Sequence, residues 1–86
     1  MTWGIDFTSR VRADVVGLEE RDSEELTDTL MVWVENGPPR ENRRQLGGVE
    51  FFEATIAQRY LLGYIVREDP PGVLLLWLRR RPGLVE

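Results

Sequence analysis

Three strand-length apolar runs follow one another at residues 49–56, 60–66 and 73–78, and they decide what the remainder of the chain must do. Each is rich in aromatic and branched residues, and turn-forming residues separate it from the next. The third run, Val73-Leu74-Leu75-Leu76-Trp77-Leu78, is apolar at both parities. A strand of that kind belongs in the middle of a sheet, covered on both faces. Left at an edge it would pair with other chains. The residues before Val49 are therefore expected to complete and cover this sheet.

The 86 residues are expected to form one domain, residues 1–86, since so short a chain cannot build two hydrophobic cores. Without cysteine there is no disulfide frame and no thiolate chemistry, in keeping with a reducing cytoplasm. Without histidine the commonest general base and zinc ligand are gone. No metal-ligand spacing or phosphate-binding glycine loop is present, so neither cofactor nor metal is expected. The opening Met1-Thr2-Trp3-Gly4-Ile5-Asp6 lacks a signal-peptide pattern, and no apolar run reaches membrane-spanning length. The expectation is a soluble cytoplasmic protein. Every basic residue is an arginine, and the net charge of −4 is uneven. Residues 1–36 hold nine acids against three arginines, whereas residues 37–86 hold eight arginines against six acids. The overall sign disfavours nucleic acid, while the basic half can still present a local positive field.

Residues 2–8 alternate, with Trp3, Ile5 and Phe7 on one side, as in a half-buried strand. Thr8 or Ser9 can then cap a helix carrying Val11, Val15 and Leu18 on one stripe, with Gly17 weakening it. A second helix is expected to start near Asp22 or Ser23, with Asp22 and Glu25 as a capping box and Leu26, Leu30, Trp33 and Val34 on its buried face. Asn36-Gly37-Pro38-Pro39 stops it. Residues 38–48 read as a polar connector, with Leu46 tucked inward and Gly47-Gly48 turning into the next strand. Phe52, Ala54 and Ile56 are assigned to the helix-covered side. A two-residue turn at Ala57-Gln58 and a three-residue turn including Arg59 both remain open, and they give opposite registers. Asp69-Pro70-Pro71-Gly72 is a reversal, and Pro82-Gly83 ends the last strand. Trp33 and Trp77 are assigned to the core and Trp3 to a partly exposed position. The resulting order is β-α-α-β-β-β, an α+β domain with a helical hairpin on one face of a mainly antiparallel four-stranded sheet.

This chain resembles the RelE/ParE superfamily of toxins from toxin–antitoxin systems over nearly its whole length. The resemblance lies in Trp3-Gly4-Ile5-Asp6-Phe7-Thr8, in the helical hairpin ending in Asn36-Gly37-Pro38-Pro39, and in the Leu46-Gly47-Gly48-Val49 step. It continues through Tyr60-Leu61-Leu62-Gly63-Tyr64-Ile65-Val66 and an apolar last strand ending in arginines. It implies a toxin neutralised by a cognate antitoxin, acting as an mRNA interferase on the ribosome or by inhibiting a target such as DNA gyrase. For an endoribonuclease it implies Arg59, Arg79 and Arg81 as phosphate-stabilising catalytic groups, and Arg43, Arg44 and Arg80 as RNA contacts. The chain departs from that pattern: it has no lysine or histidine, no tyrosine follows Arg81, and Glu53 and Glu68 add negative charge. A ribonuclease of this sequence would have a degenerate site, with Glu53 or a tyrosine left as the base.

Each candidate also has a plainer reading. Arg79-Arg80-Arg81 can contact phosphate or simply guard an aggregation-prone strand end. Arg40, Arg43 and Arg44 can form an RNA-facing flap or a solvated loop, and Arg59 a phosphate clamp or a turn residue. Glu53 can be a general base or an ion-pair partner. The alternative function, from a different class, is a catalytically inert bacterial or phage module of this fold that acts by protein–protein contact.

Overall fold

The computed structural model describes residues 2–81. Its elements run β1 (Gly4–Phe7), α1 (Ser9–Val16), α2 (Glu20–Asn36), β2 (Arg44–Leu46), β3 (Val49–Ile56), β4 (Tyr60–Glu68) and β5 (Pro71–Arg80). The five strands form one sheet in the order β1-β5-β4-β3-β2. The α+β class and the helical hairpin on one face are as expected, and the sheet has five strands where four were expected. β1 runs parallel to β5 and every other pairing is antiparallel. β5 lies inside the sheet, between β1 and β4, as expected, but the expected cover on both faces is corrected: the helices cover one face, and Leu74 and Trp77 on the other are only half-buried.

The core lies between the helices and one sheet face. Val11, Leu26 and Trp33 of the helices meet Phe52, Ile56, Leu62, Tyr64, Val73, Leu75 and Leu78 of the sheet, all buried. Each fully buried aliphatic side chain among them contributes about 1.5–3 kcal/mol of transfer free energy. Phe52, Ala54 and Ile56 face the helices as expected, and a three-residue turn, which pairs Ile56 with Tyr60, settles the register. Ala57 and Gln58 both take positive φ there, at 54° and 61°. Thr8 caps α1 by accepting from the Val11 N–H.

Several local expectations are corrected. α2 begins at Glu20, two residues before Asp22, and its N-cap Glu19 makes no side-chain cap hydrogen bond. Asp22 is buried within the first turn and does not cap it. Gly17 is the C-cap of α1 and so does not weaken its interior. Part of the connector is strand β2, which forms a hairpin with β3 over Gly47 and Gly48. Leu46 is 74% exposed there, on an edge strand with no layer above it. Pro82 and Gly83, expected to end the last strand, lie outside the described residues.

A β-bulge in β5 decides which side chains reach the uncovered face. Gly63 pairs with Trp77 and Tyr64 with Leu75, so Leu76 is the extra residue. Strict alternation from buried Val73 and Leu75 would place Trp77 and Arg79 in the core. One inserted residue exchanges the two faces beyond it. Leu78 therefore turns inward, while Trp77 and Arg79 turn outward. This overturns the assignment of Trp77 to the core; Trp33 is buried as expected. The bulge is held from the edge of β5 that β1 leaves uncovered. Thr8 Oγ1 donates to the Leu76 carbonyl at 3.0 Å, and the Leu78 N–H donates to Asp14 Oδ2 at 3.0 Å.

Candidate functional site: an arginine-lined cleft on the uncovered sheet face

Strand register places Glu53, Gly63 and Trp77 side by side across β3, β4 and β5. On the same face Thr55, Leu61 and Arg79 form the next row, and Arg44 of β2 lies opposite Phe51. Gly63 has a steric role in this arrangement. A Cβ there would lie 2.4 Å from an indole carbon of Trp77, so the ring lies directly over the glycine. Trp77 thereby reaches across β4 to Phe51 on β3, edge to face at 5.1 Å between ring centroids. Such a pair adds about 0.5–1.5 kcal/mol beyond its buried area.

Glu53 stands next to this aromatic floor with only 5% of its surface exposed. Arg44 Nε donates to its Oε1 at 3.1 Å, and Arg79 Nη2 donates to its Oε2 at 3.4 Å. A carboxylate so far out of water needs counter-charge, and it has two guanidiniums. Both arginines keep more than half of their side-chain surface exposed. They can therefore hold Glu53 and still present N–H groups outward. With Arg10 from α1 they enclose a cleft of about 420 Å³, lined by Arg10, Arg44, Phe51, Glu53, Trp77 and Arg79. Three guanidiniums around one carboxylate leave the cleft net positive in a protein of net charge −4. Its chemistry suits an anion, and a phosphate oxygen fits the forked donors of arginine.

The structure separates the other candidates from this cleft. Arg59 lies at the β3–β4 turn, with Nη1 4.0 Å from Oδ2 of buried Asp22 on α2. Arg80 is turned toward the helix side, with its guanidinium carbon 6.0 Å from the Tyr60 ring centroid. Asp22, Arg59 and Arg80 line a second, wider basin of about 1080 Å³ with Glu19, Arg21 and Glu25. Grouping Arg59 with Arg79 is thus corrected: alternation sends neighbouring residues to opposite faces, and the turn carries Arg59 to the helix side. Arg81 is exposed just beyond β5, and its N–H donates to the Arg59 carbonyl. Arg43 pairs with Glu50 at 3.5 Å, and Arg40 pairs with Glu68. Sequence reasoning missed Arg10, Phe51 and Trp77 as lining residues. For Trp77 the one available signal was Gly63 on the neighbouring strand, room for a ring.

Tyr64 anchors the connector from the core side. Its hydroxyl donates to the Pro39 carbonyl, and its ring packs on Trp33 and Phe52. Burial, and secondarily the charge of Glu41, push its pKa up from 10.0 to about 12. Among the described residues no helix is long and apolar enough to cross a membrane.

No protein-family model matches the sequence, and no curated protein matches it. Solved structures do match the fold. An archaeal RelE–RelB complex from Pyrococcus horikoshii OT3 superposes with a TM-score of 0.80 at 17% identity, covering 98% of this chain and 100% of that one. The intact E. coli RelBE toxin–antitoxin complex gives 0.73 at 20% identity, covering 92% and 96%. A mutant of E. coli toxin RelE with two arginines replaced by alanine, in the free state, gives 0.73 at 20% identity, covering 92% and 83%. With its paired helices over one face of a five-stranded sheet, this chain has the fold of the RelE toxins.

Proposed function

We propose that this chain is the toxin of a toxin–antitoxin pair, that it acts on RNA through the arginine-lined face of its sheet, and that a cognate antitoxin neutralises it. The observation that carries the reading is the cleft in which Arg44 and Arg79 share Glu53 beside an aromatic floor. Its support comes from the fold, since two of the matching structures are toxin–antitoxin complexes. In this reading Arg44 and Arg79 hold an RNA phosphate and offset the charge that builds on it in the transition state. The adjacent 2′-hydroxyl attacks phosphorus, a 2′,3′-cyclic phosphate forms, and the P–O5′ bond breaks with a proton from water going to the 5′-oxygen. Glu53 is the carboxylate placed to take the 2′ proton. Guanidiniums do not deprotonate near neutral pH, so they are poor donors to the leaving oxygen, and cleavage is expected to be slow.

Induced expression in a bacterial host without a partner gene tests this. Growth arrest with new 5′ ends in cellular mRNA is expected, and both should disappear in an Arg44→Ala/Arg79→Ala variant. Arrest without RNA ends would move the reading to inhibition of a bound target such as gyrase. Harmless high-level expression of the folded protein would reject a toxin.

A further inference from the structure

The floor of the cleft is aromatic, and phosphate binding alone gives no reason for that. Trp77 lies over Gly63 and meets Phe51 edge to face. Trp77 is half-buried, its Nε1 is buried without a hydrogen-bond partner among the described residues, and the residue lines the cleft on the side of the sheet away from the helices. Arg44 and Arg79 line the same cleft, both bonded to Glu53 beside the ring. An aromatic surface beside two partly exposed guanidiniums suits a single strand, in which a planar base alternates with a phosphate. The bulge at Leu76 presents ring and arginine together, because it turns both outward from the same strand.

We propose that Trp77 is a stacking platform for one nucleobase of single-stranded RNA, with Arg44 and Arg79 on the flanking phosphates. The proposal rests on the RNA-directed reading above and adds the part of the substrate that the ring recognises. Stacking on an indole requires only a π-face, so the platform discriminates base from no base and single strand from duplex. It does not select among the four bases.

The test compares two probes of equal charge with the full chain: a 2′-O-methyl adenosine hexamer, which cannot be cleaved by 2′-oxygen attack, and a tetrahydrofuran-phosphate hexamer lacking bases. The base-bearing probe should bind roughly tenfold more tightly, the size expected for one base stacked on an aromatic side chain. That ratio should fall to near one in Trp77→Leu and stay close to wild type in Trp77→Phe. Equal affinity of the wild type for both probes would overturn the platform and leave the phosphate reading standing. Failure of both probes to bind would overturn the two together. The wild-type ratio needs no variant, so a poorly folding Trp77→Leu does not blunt the test. Magnetisation transfer from adenine protons to the Trp77 indole then locates the base, and transfer to other rings alone counts against the proposal.

Discussion

The backbone N–H of Leu78, past the bulge in β5, donates to the carboxylate of Asp14 at 3.0 Å. β1 pairs with β5 only as far as Leu75, so no strand is available to accept this bond. A helix side chain substitutes for the missing neighbour and holds the strand after its parity has changed. Asp14→Leu leaves a partly buried N–H without its partner and should lower stability by about 1–3 kcal/mol. Asp14→Asn, which keeps an acceptor oxygen, should cost less. Urea unfolding of both variants measures the difference, and Leu78 amide exchange should accelerate in Asp14→Leu alone. Equal unfolding midpoints for the two would show that the bond holds nothing.

Gly63 is the second device that shapes the cleft. An added methyl group meets three ring atoms of Trp77 within 2.8 Å, and the indole must be displaced. Gly63→Ala should destabilise by roughly 1–3 kcal/mol through overpacking. Its cost should shrink in a Trp77→Leu background, where no ring opposes the methyl group. A double-mutant cycle reads this coupling directly. Additive costs would mean that the glycine is required for some reason other than the ring.

Patterns with a short period were legible in the sequence. The alternation of Phe52, Ala54 and Ile56 assigns the helix-facing side of β3, the stripe of Val11, Val15 and Leu18 assigns the sheet-facing side of α1, and Asn36-Gly37 ends α2 at the residue where it stops. What escaped depends on contacts distant in sequence. Asp22 reads as a cap because it has the right residue type near a helix start, and only the fold brings Arg59 to it. Trp77 reads as core because its strand is apolar at both parities and so predicts cover on both faces; in the fold one face carries no helix, and Trp77 leaves the parity of Val73 and Leu75 for that face. The bulge that breaks this parity is fixed by Thr8 and Asp14, more than sixty residues earlier. β2 escaped because Arg44-Gln45-Leu46 is too short and polar to carry a strand pattern of its own, and pairing with β3 makes it one.

Glu53 couples the proposed function to stability, and the coupling affects how an arginine deletion is read. Arg44 and Arg79 are exposed enough that water screens each pair, so each single alanine variant should cost only about 0.5–1 kcal/mol. Removing both strands a carboxylate that is 5% exposed, and the loss should exceed the sum, reaching roughly 2–3 kcal/mol. Adding Glu53→Gln to the double variant removes the stranded charge and should recover much of that loss without restoring RNA affinity. Chemical denaturation and RNA titration of these four variants and the wild type separate the two effects. Additive singles would mean that water already satisfies Glu53.

Tyr64 sets an alkaline limit. Its pKa is raised from 10.0 to about 12 in the folded protein, so the folded state favours the protonated phenol. A group whose pKa rises on folding contributes fully below its unfolded value and loses that contribution as pH climbs through the folded one. The window here is about pH 10 to 12. Below it Tyr64→Phe should cost about 1 kcal/mol, through loss of the bond to the Pro39 carbonyl. Across the window the wild type should lose its advantage over the variant, whose stability lacks this titration. Denaturation curves for both proteins at pH 8 and pH 11 check the sign. An advantage that grows with pH would contradict the burial assigned to the hydroxyl.

Arg59 provides the sharpest separation between a residue that holds the fold and one that holds RNA. Its guanidinium is 4.0 Å from Oδ2 of Asp22, a buried carboxylate oxygen with no hydrogen-bond partner among the described residues. The pair ties the first turn of α2 to the β3–β4 turn, on the side of the sheet away from the Trp77 cleft. Arg59→Ala takes the counter-charge from a carboxylate that is 2% exposed, so it should destabilise by about 1–3 kcal/mol even though Arg59 itself is partly solvated. Arg59→Ala/Asp22→Asn should be more stable than Arg59→Ala alone, since the orphaned charge is gone. Affinity for the uncleavable RNA hexamer, measured where both variants are folded, should stay within about twofold of wild type, whereas Arg79→Ala should lower it severalfold. If Arg59→Ala instead weakened RNA binding as much as Arg79→Ala, the bound strand would have to cross from one sheet face to the other around the β3–β4 turn. The two arginine groups would then belong to one continuous path.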